Sequence, residues 1–310
     1  MGYISSDITL KETWRRYERD GHRFYHNRKK VLAGITTILK EVMPTSYFLQ
    51  KWLLENGEEE LQRTADYGSL LHLCIERFLK GEHWWLSIPP AFEKDAGIRS
   101  EMVGFRNFQK DCGIKPLLIE VALKGNLYGC DYACTIDLLC KVAVKKITVT
   151  EVEETLKNGK IKIKKEKKEE TVYETWIIDF KSNYYEKDKS FYSQHVYQLM
   201  AQKKAVLDQT GVKVDRIFNW TSTKWIADNG SNTYKLVEWV EEGQKAGGDW
   251  NYQSYKKRSI KSLELYMKLA KNEGANVPHG NIRQFKNFVI GDDDTPSVEI
   301  KTYEKYILGQ

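Results

Sequence analysis

No run of apolar residues in this chain approaches the roughly 20 that cross a bilayer as a helix, so no transmembrane helix is expected. The start, Met1-Gly2-Tyr3-Ile4-Ser5-Ser6-Asp7, lacks a basic segment followed by an apolar one, which argues against a signal peptide. Met1-Gly2 with Ser6 fits a myristoylation pattern only loosely. Cysteine is sparse and odd in number, five in all: Cys74, Cys112, Cys130, Cys134 and Cys140. Without a secretory signal, this points to reduced thiols and a cytoplasmic location. The run Cys130-x3-Cys134-x5-Cys140 lacks the tight, repeated pairs of a zinc site, and small buried residues on neighbouring strands account for it. There is no internal repeat and no composition shift that marks a second domain.

What is present is an ordinary balance for a globular protein, 41% hydrophobic and 30% charged residues over 310 positions. The formal net charge is +6. That charge is compatible with a polyanionic partner but does not demand one.

Periodicity and turn residues divide the chain into helices first and strands after. His22 to Asn27 with Val31 to Gly34 reads as a short hairpin, and Ile35 opens a helix. Ser46 to Leu54 is helical, and Leu61 to Lys80 more strongly so. There Leu70, Leu71, Cys74, Ile75 and Phe78 recur at three- and four-residue spacings before Gly81. Ala91 to Cys112 is a further helix. After Pro116 the pattern turns to strands: Leu117–Leu123, a turn at Gly125-Asn126, then Tyr128–Val144 and Ile147–Thr150. Asn158-Gly159 marks a hairpin, followed by the alternating Lys160–Lys164. Thr171 to Phe180 ends in Trp176-Ile177-Ile178, apolar on both faces as in a central strand. A helix at Ser190–Asp208 and a strand at Val214–Thr221 follow. Beyond them come a strand at Tyr234–Val240 and a helix around Ser259–Asn272. The sum is a mixed α/β core.

Chemistry gathers at Asp179 and Lys181. Two residues apart on a strand, they point to the same face. A carboxylate that holds a divalent cation beside an ammonium that orients water or neutralises phosphate is what phosphodiester hydrolysis needs. As a bare tripeptide, Asp-Phe-Lys is equally a surface ion pair. Asp137 lies in the apolar strand Ala133–Leu139, where an unpartnered carboxylate is costly and a metal ion, a backbone donor or a lysine resolves the cost. Gly68, His72 and Glu76 are four apart and share a helix face. His72 offers a nitrogen ligand, and Glu76 can orient it or bind a second ion. Glu120 is a further carboxylate on the preceding strand. Gln194, Gln198 and Gln202 form a polar stripe, either solvated or turned toward Asp179.

The ordered set Gly68-x3-His72, Glu120, Asp137, Ile177-Ile178-Asp179-Phe180-Lys181-Ser182, then Gln198-Leu199 resembles the PD-(D/E)XK nuclease superfamily in its RecB-like branch. The run Phe24-Tyr25 to Gly34-Ile35-Thr36-Thr37-Ile38-Leu39, with Trp52 beyond, is similar to the lead-in of phage exonucleases and of mitochondrial genome maintenance exonucleases. The resemblance spans about residues 22 to 220.

It implies a restriction-endonuclease-like core, a central mixed β-sheet flanked by helices, within a single domain over 1–310. Residues 141–175 would form a protruding basic hairpin insertion and 221–310 a C-terminal extension. It implies metal ligation by His72, Asp137, Asp179 and the Phe180 carbonyl, with Mg²⁺ or Mn²⁺ as the ion. Lys181 would position or polarise the attacking water, and Gln198 would support the site; Glu76 and Glu120 stand behind these. Relatives often carry Tyr where this chain has Gln202. No cysteine follows Cys140, so no iron–sulfur cluster is expected.

The expected partner is DNA, single-stranded or at duplex ends. Lys160, Lys162 and Lys164 of the hairpin are candidates to grip phosphate, or equally belong to a solvated charged hairpin partly balanced by Glu166, Glu169 and Glu170. Trp84-Trp85 and Tyr184-Tyr185 are candidates to stack on bases, or are packing residues. The activity expected is exonucleolytic, in phage-type replication, recombination or DNA processing inside a bacterial host. A second copy, or proteins of replication or recombination, are further expected partners. A structure- or sequence-directed endonuclease and a non-catalytic nucleic-acid-binding protein on a nuclease scaffold are the alternatives.

Overall fold

The apolar run Trp176-Ile177-Ile178 becomes the middle of a seven-stranded sheet. In the computed structural model, residues 2–19, 22–43, 47–90, 96–155, 161–182, 193–222, 234–245, 251–255 and 257–271 are described. The elements run β1 (Tyr3–Ile4), β2 (Arg15–Arg19), β3 (His22–His26), β4 (Val31–Ala33), α1 (Ile35–Val42) and α2 (Tyr47–Leu79), then a 3₁₀ turn at Trp84–Ser87. After it come α3 (Ala96–Cys112), β5 (Lys115–Leu127), β6 (Cys130–Thr155), β7 (Ile161–Phe180), α4 (Ser193–Thr210), β8 (Arg216–Ser222), β9 (Tyr234–Glu241), β10 (Asn251–Tyr255) and α5 (Lys257–Lys271). The large sheet has the order β1-β5-β6-β7-β8-β9-β10, and β2-β3-β4 form a separate small sheet. Pairing is parallel at β7–β8 and β9–β10 and antiparallel elsewhere in the large sheet. The fold is thus α/β with a mixed sheet. Of the described helices, none is long and apolar enough to cross a membrane.

Alternation along the central strands sends side chains to two helical layers. Leu139, Ile177, Ile217 and Val237 pack with α1, α4 and α5 through Ile38, Leu199, Val206, Leu263 and Met267. Leu138, Trp176, Ile178, Phe180, Phe218 and Trp220 pack with α2 and α3 through Leu71, Ile75, Met102, Phe105 and Phe108. Each of these large side chains is fully or nearly fully buried, a gain of about 1.5–3 kcal/mol apiece relative to exposure. The two strands and the helix beyond residue 222 belong to this same sheet and core. Cys130, Cys134 and Cys140 are free and buried, and burial pushes the Cys134 and Cys140 thiols up.

The helical stretches read at Ser46–Leu54 and Leu61–Lys80 lie within the one element Tyr47–Leu79, broken where Gly57 takes φ +81°. Two sequence expectations shift. The turn expected at Gly125-Asn126 lies at Tyr128-Gly129, both with positive φ, and joins β5 to β6 as a two-residue hairpin loop. Gly125 serves packing instead: a Cβ there would come within 2.3 Å of the Tyr132 hydroxyl, which donates to the Ala201 carbonyl at 2.7 Å. The small sheet has a third strand, β2, which the sequence pattern does not show. Its strand β3 is tied to the large sheet by a bond between the Tyr25 and Thr135 hydroxyls at 3.0 Å.

β6 and β7 stay paired far past their neighbours. β5 leaves β6 at Lys141 and β8 leaves β7 at Trp176, yet pairing continues to Thr155 opposite Ile161. The result is a two-stranded ribbon on the order of 45 Å long. Its charge is less one-sided than the lysine run suggests. Residues 141–175 hold ten Lys against seven Glu. Lys162 lies in register with Glu154, Lys165 with Glu151, and Lys164 with Val152. Lys145 also pairs with Glu169 at 2.7 Å. Lys160, Tyr184 and Tyr185 lie outside the described residues.

At the β7–β8 crossover, Arg216 makes a bidentate pair with Glu174 at 2.6 and 2.9 Å and reaches Glu238 at 3.0 Å. Burial acts to raise the Glu174 pKa, but hydrogen bonds from Arg216 and the Trp176 indole outweigh it and hold the carboxyl below its ordinary range. Its contribution to stability is therefore full above the unfolded value of about 4.3 and fades as pH falls through the lower folded value. Glu174→Gln is expected to cost about 2 kcal/mol in urea denaturation at neutral pH. The cost should shrink at pH values acid enough to protonate the parent carboxyl.

Candidate functional site

The sheet forks at one point. β6 and β7 pair only as far as Leu138 opposite Ile178, so Asp137 and Asp179 sit where the two strands part. The freed backbone N–H of Phe180 is taken by the Asp137 side chain, its Oδ2 accepting at 2.9 Å. On the other flank, β5 pairs with β6 at Ile119 and again at Val121, and skips Glu120 opposite Asp137. Glu120 has φ +50°, a left-handed conformation uncommon for a residue with a side chain. The N-terminal segment presses on it: a Cβ at Gly2 would lie 2.3 Å from the Glu120 carbonyl oxygen.

α2 delivers His72 to this fork. Its Nδ1 lies 2.9 Å from Glu120 Oε1 and 3.7 Å from Asp137 Oδ2, and its Nε2 lies 3.1 Å from the Phe180 carbonyl oxygen. Burial disfavours the imidazolium, but Asp137 and Glu120 outweigh it and raise the pKa to about 9. Protonated at neutral pH, the ring donates to Glu120 and to Phe180. Burial, opposed by His72, also raises the Asp137 carboxyl. The His72 contribution to stability is full below about 6.5 and fades as pH rises toward 9.

Asp179 is fully buried and held from three sides. Lys181 Nζ reaches Oδ2 at 2.7 Å, the Asn219 amide donates to the same oxygen at 2.6 Å, and the Gln198 amide donates to Oδ1 at 2.7 Å. The Asn219 carbonyl in turn accepts the Trp239 indole N–H at 2.7 Å. Burial lifts the Asp179 pKa to about 6 against the pull of Lys181, so the carboxylate is mostly ionised at neutral pH. Lys181 continues the β7–β8 ladder, its N–H donating to the Trp220 carbonyl at 2.9 Å. The Lys181 side chain remains partly exposed.

The structure therefore brings together His72, Asp137, the Phe180 carbonyl, Asp179, Lys181 and Gln198. Glu120 is in direct contact with His72, and Glu76 pairs with Lys80 on its own helix at 2.5 Å. Of the glutamine stripe, Gln194 is exposed, and only Gln198 meets Asp179. Gln202 is fully buried, and its amide donates to the Thr135 carbonyl at 3.0 Å. Asn219 and Trp239 were not singled out from sequence. The usable signal was the same as for Asp137, a polar residue inside the apolar run Ile217-Phe218-Asn219-Trp220.

Among the described residues, His72, Glu120 and Asp137 are the one group of three such side chains able to converge on a cation, with ligand atoms within 4.8 Å of one another. Adjacent ligands of an octahedral ion lie about 3 Å apart and opposite ones about 4 Å, so the group would have to tighten around an ion. One nitrogen, two carboxylates and the nearby Phe180 carbonyl make a donor set that could hold a metal ion. Asp179 stands beside this group with both oxygens already engaged. No family model, no curated protein and no solved structure matches the chain.

Asn219→Ala removes one donor from Asp179 and leaves the Trp239 indole N–H without its acceptor. It should lower stability by about 1–3 kcal/mol, measured by urea denaturation. Glu76→Gln, away from the fork, should stay within about 0.5 kcal/mol of the parent.

Proposed function

We propose that this chain is a divalent-metal-dependent DNA nuclease of the PD-(D/E)XK superfamily, related to the RecB-like and phage exonuclease branch. The observation that carries the reading is the fork. Asp179 and Lys181 lie 2.7 Å apart on one strand end, beside a His72–Glu120–Asp137 cluster that the neighbouring strand and a helix complete. His72, Glu120, Asp137 and the Phe180 carbonyl would hold Mg²⁺ or Mn²⁺, and Asp179 would join them by sharing an oxygen with its present donors. The ion supplies Lewis-acid stabilisation of phosphate charge and a water of lowered pKa.

The remaining work falls to the chain. Lys181, its ammonium anchored on Asp179 and partly exposed, is placed to donate to an incoming water or to a phosphate oxygen. Gln198 and Asn219 restrain the Asp179 carboxylate from both sides, which keeps Lys181 in a fixed position. The net charge of +6 favours a polyanionic substrate. The exonucleolytic mode follows the resemblance to phage exonucleases, and the ribbon would correspond to the hairpin insertion.

With end-labelled linear DNA and Mg²⁺ or Mn²⁺, the parent should shorten strands. Lys181→Ala and Asp179→Ala should be slower by at least about a hundredfold, and a chelator should stop the reaction. Closed circles should stay intact; their cutting would assign an endonuclease. No cleavage of any DNA with either ion would end the nuclease reading. Ligation needs a neutral His72 nitrogen, so titration calorimetry with Mn²⁺ should show proton release and an affinity that rises with pH up to about 9. Asp137→Asn should abolish that binding.

A further inference from the structure

α2 ends in a turn that opens a second site. Gly81, with φ +76°, donates its N–H to the Phe78 carbonyl at 3.0 Å, and Glu82 donates to Arg77 at 2.8 Å. This pair of bonds is the Schellman pattern that stops a helix and redirects the chain. The redirected chain forms the 3₁₀ turn Trp84–Ser87, which stands over α3 and encloses an open cleft of about 830 Å³.

One wall of the cleft is aromatic. Phe78 lies at its back, and Trp84 and Trp85 meet edge to face with ring centroids 6.0 Å apart. Trp84 is packed against the core, while Trp85 keeps 47% of its surface exposed. The other wall is a stripe of α3 in which Val103, Arg106 and Lys110 recur at three- and four-residue spacings. Both cations are exposed, and neither has a carboxylate partner among the described residues. Glu82 also lines the cleft, 3.9 Å from Arg77.

Rings in edge-to-face contact run from the cleft to the fork. Phe78 meets Phe105 at 5.9 Å, and Phe105 meets Phe180, the residue whose carbonyl faces His72, at 5.5 Å. Along α2, Phe78 is about 9 Å beyond His72.

We infer that this cleft binds a single-stranded stretch of the nucleic acid whose backbone reaches the fork, with a base stacked on Trp85 and phosphates on Arg106 and Lys110. This rests on the nuclease reading for its substrate class. The choice of a single strand rests on the cleft itself. An exposed flat indole beside free cations offers a π-face and a counter-charge together, which is how unpaired bases are held without sequence preference. A duplex keeps its bases stacked on each other and offers none to Trp85.

Binding is read by fluorescence anisotropy of a labelled oligothymidylate in a chelator, so that no cleavage is needed. The comparison is a labelled blunt duplex. Trp85→Ala should weaken oligothymidylate binding about tenfold or more and leave duplex binding unchanged; Trp85→Phe, which keeps a ring, should recover most of the loss. Arg106→Glu with Lys110→Glu should weaken it further and reduce the slope of log affinity against log salt by about 1.4. All these positions are exposed, and melting curves superimposable on the parent's confirm folding. A parent that does not bind oligothymidylate, or variants that bind it as the parent does, would overturn the inference even if DNA is cleaved. Trp85-dependent binding by a protein that cleaves nothing would keep the cleft and remove the nuclease reading.

Discussion

The bond from the Phe180 backbone N–H to the Asp137 carboxylate is the constraint on which the site depends. Where two strands part, each leaves backbone donors and acceptors that must be satisfied elsewhere. Here a side chain takes the donor, which fixes Asp137 at the crotch of the fork and turns the Phe180 carbonyl toward His72. Glu120 is brought in by an unusual backbone conformation on the opposite flank. The acidic cluster is thus a product of interrupted pairing, and each member is held by main chain as much as by its neighbours.

Much of this was legible in the sequence, for identifiable reasons. The central strand could be read because Trp176-Ile177-Ile178 is apolar on both faces. Asp137 stood out as a charge in an apolar run. His72 was placed by helical spacing, and the same spacing offered Glu76. Residues four apart share a face, but Lys80 is four further on and claims the carboxylate. Gln202 looked like part of a polar stripe because its acceptor, the Thr135 carbonyl, is a backbone group from a distant strand that no side-chain pattern announces. The turn was misjudged between Gly125 and Gly129, since two glycines compete and only packing against Tyr132 decides which one turns.

Electrostatically, the fork separates into two halves. On the α2 side, His72 carries a positive charge against Glu120 and Asp137. On the α4 side, Lys181 balances Asp179, with Gln198 and Asn219 adding neutral donors. Each half therefore holds one cation, His72 shared by Glu120 and Asp137 and Lys181 on Asp179, which is what allows several acids to share one dry location. Within this arrangement the aromatic ladder Phe78–Phe105–Phe180 links the half nearest α2 to the surface around Trp85.

The long β6–β7 ribbon bears on how such a site comes to exist. Asp137 and Phe180 are 43 residues apart in the chain. Closing a loop of that length in one step carries a large entropic cost before any contact rewards it. A hairpin that starts at its tip and zips inward replaces that single closure with a succession of nearest-neighbour steps, each adding the pair beside the last. The ribbon is thus a kinetic guide as well as a projection. Its register decides which two residues arrive together at the fork, and a slip of one position would send the wrong side chain there.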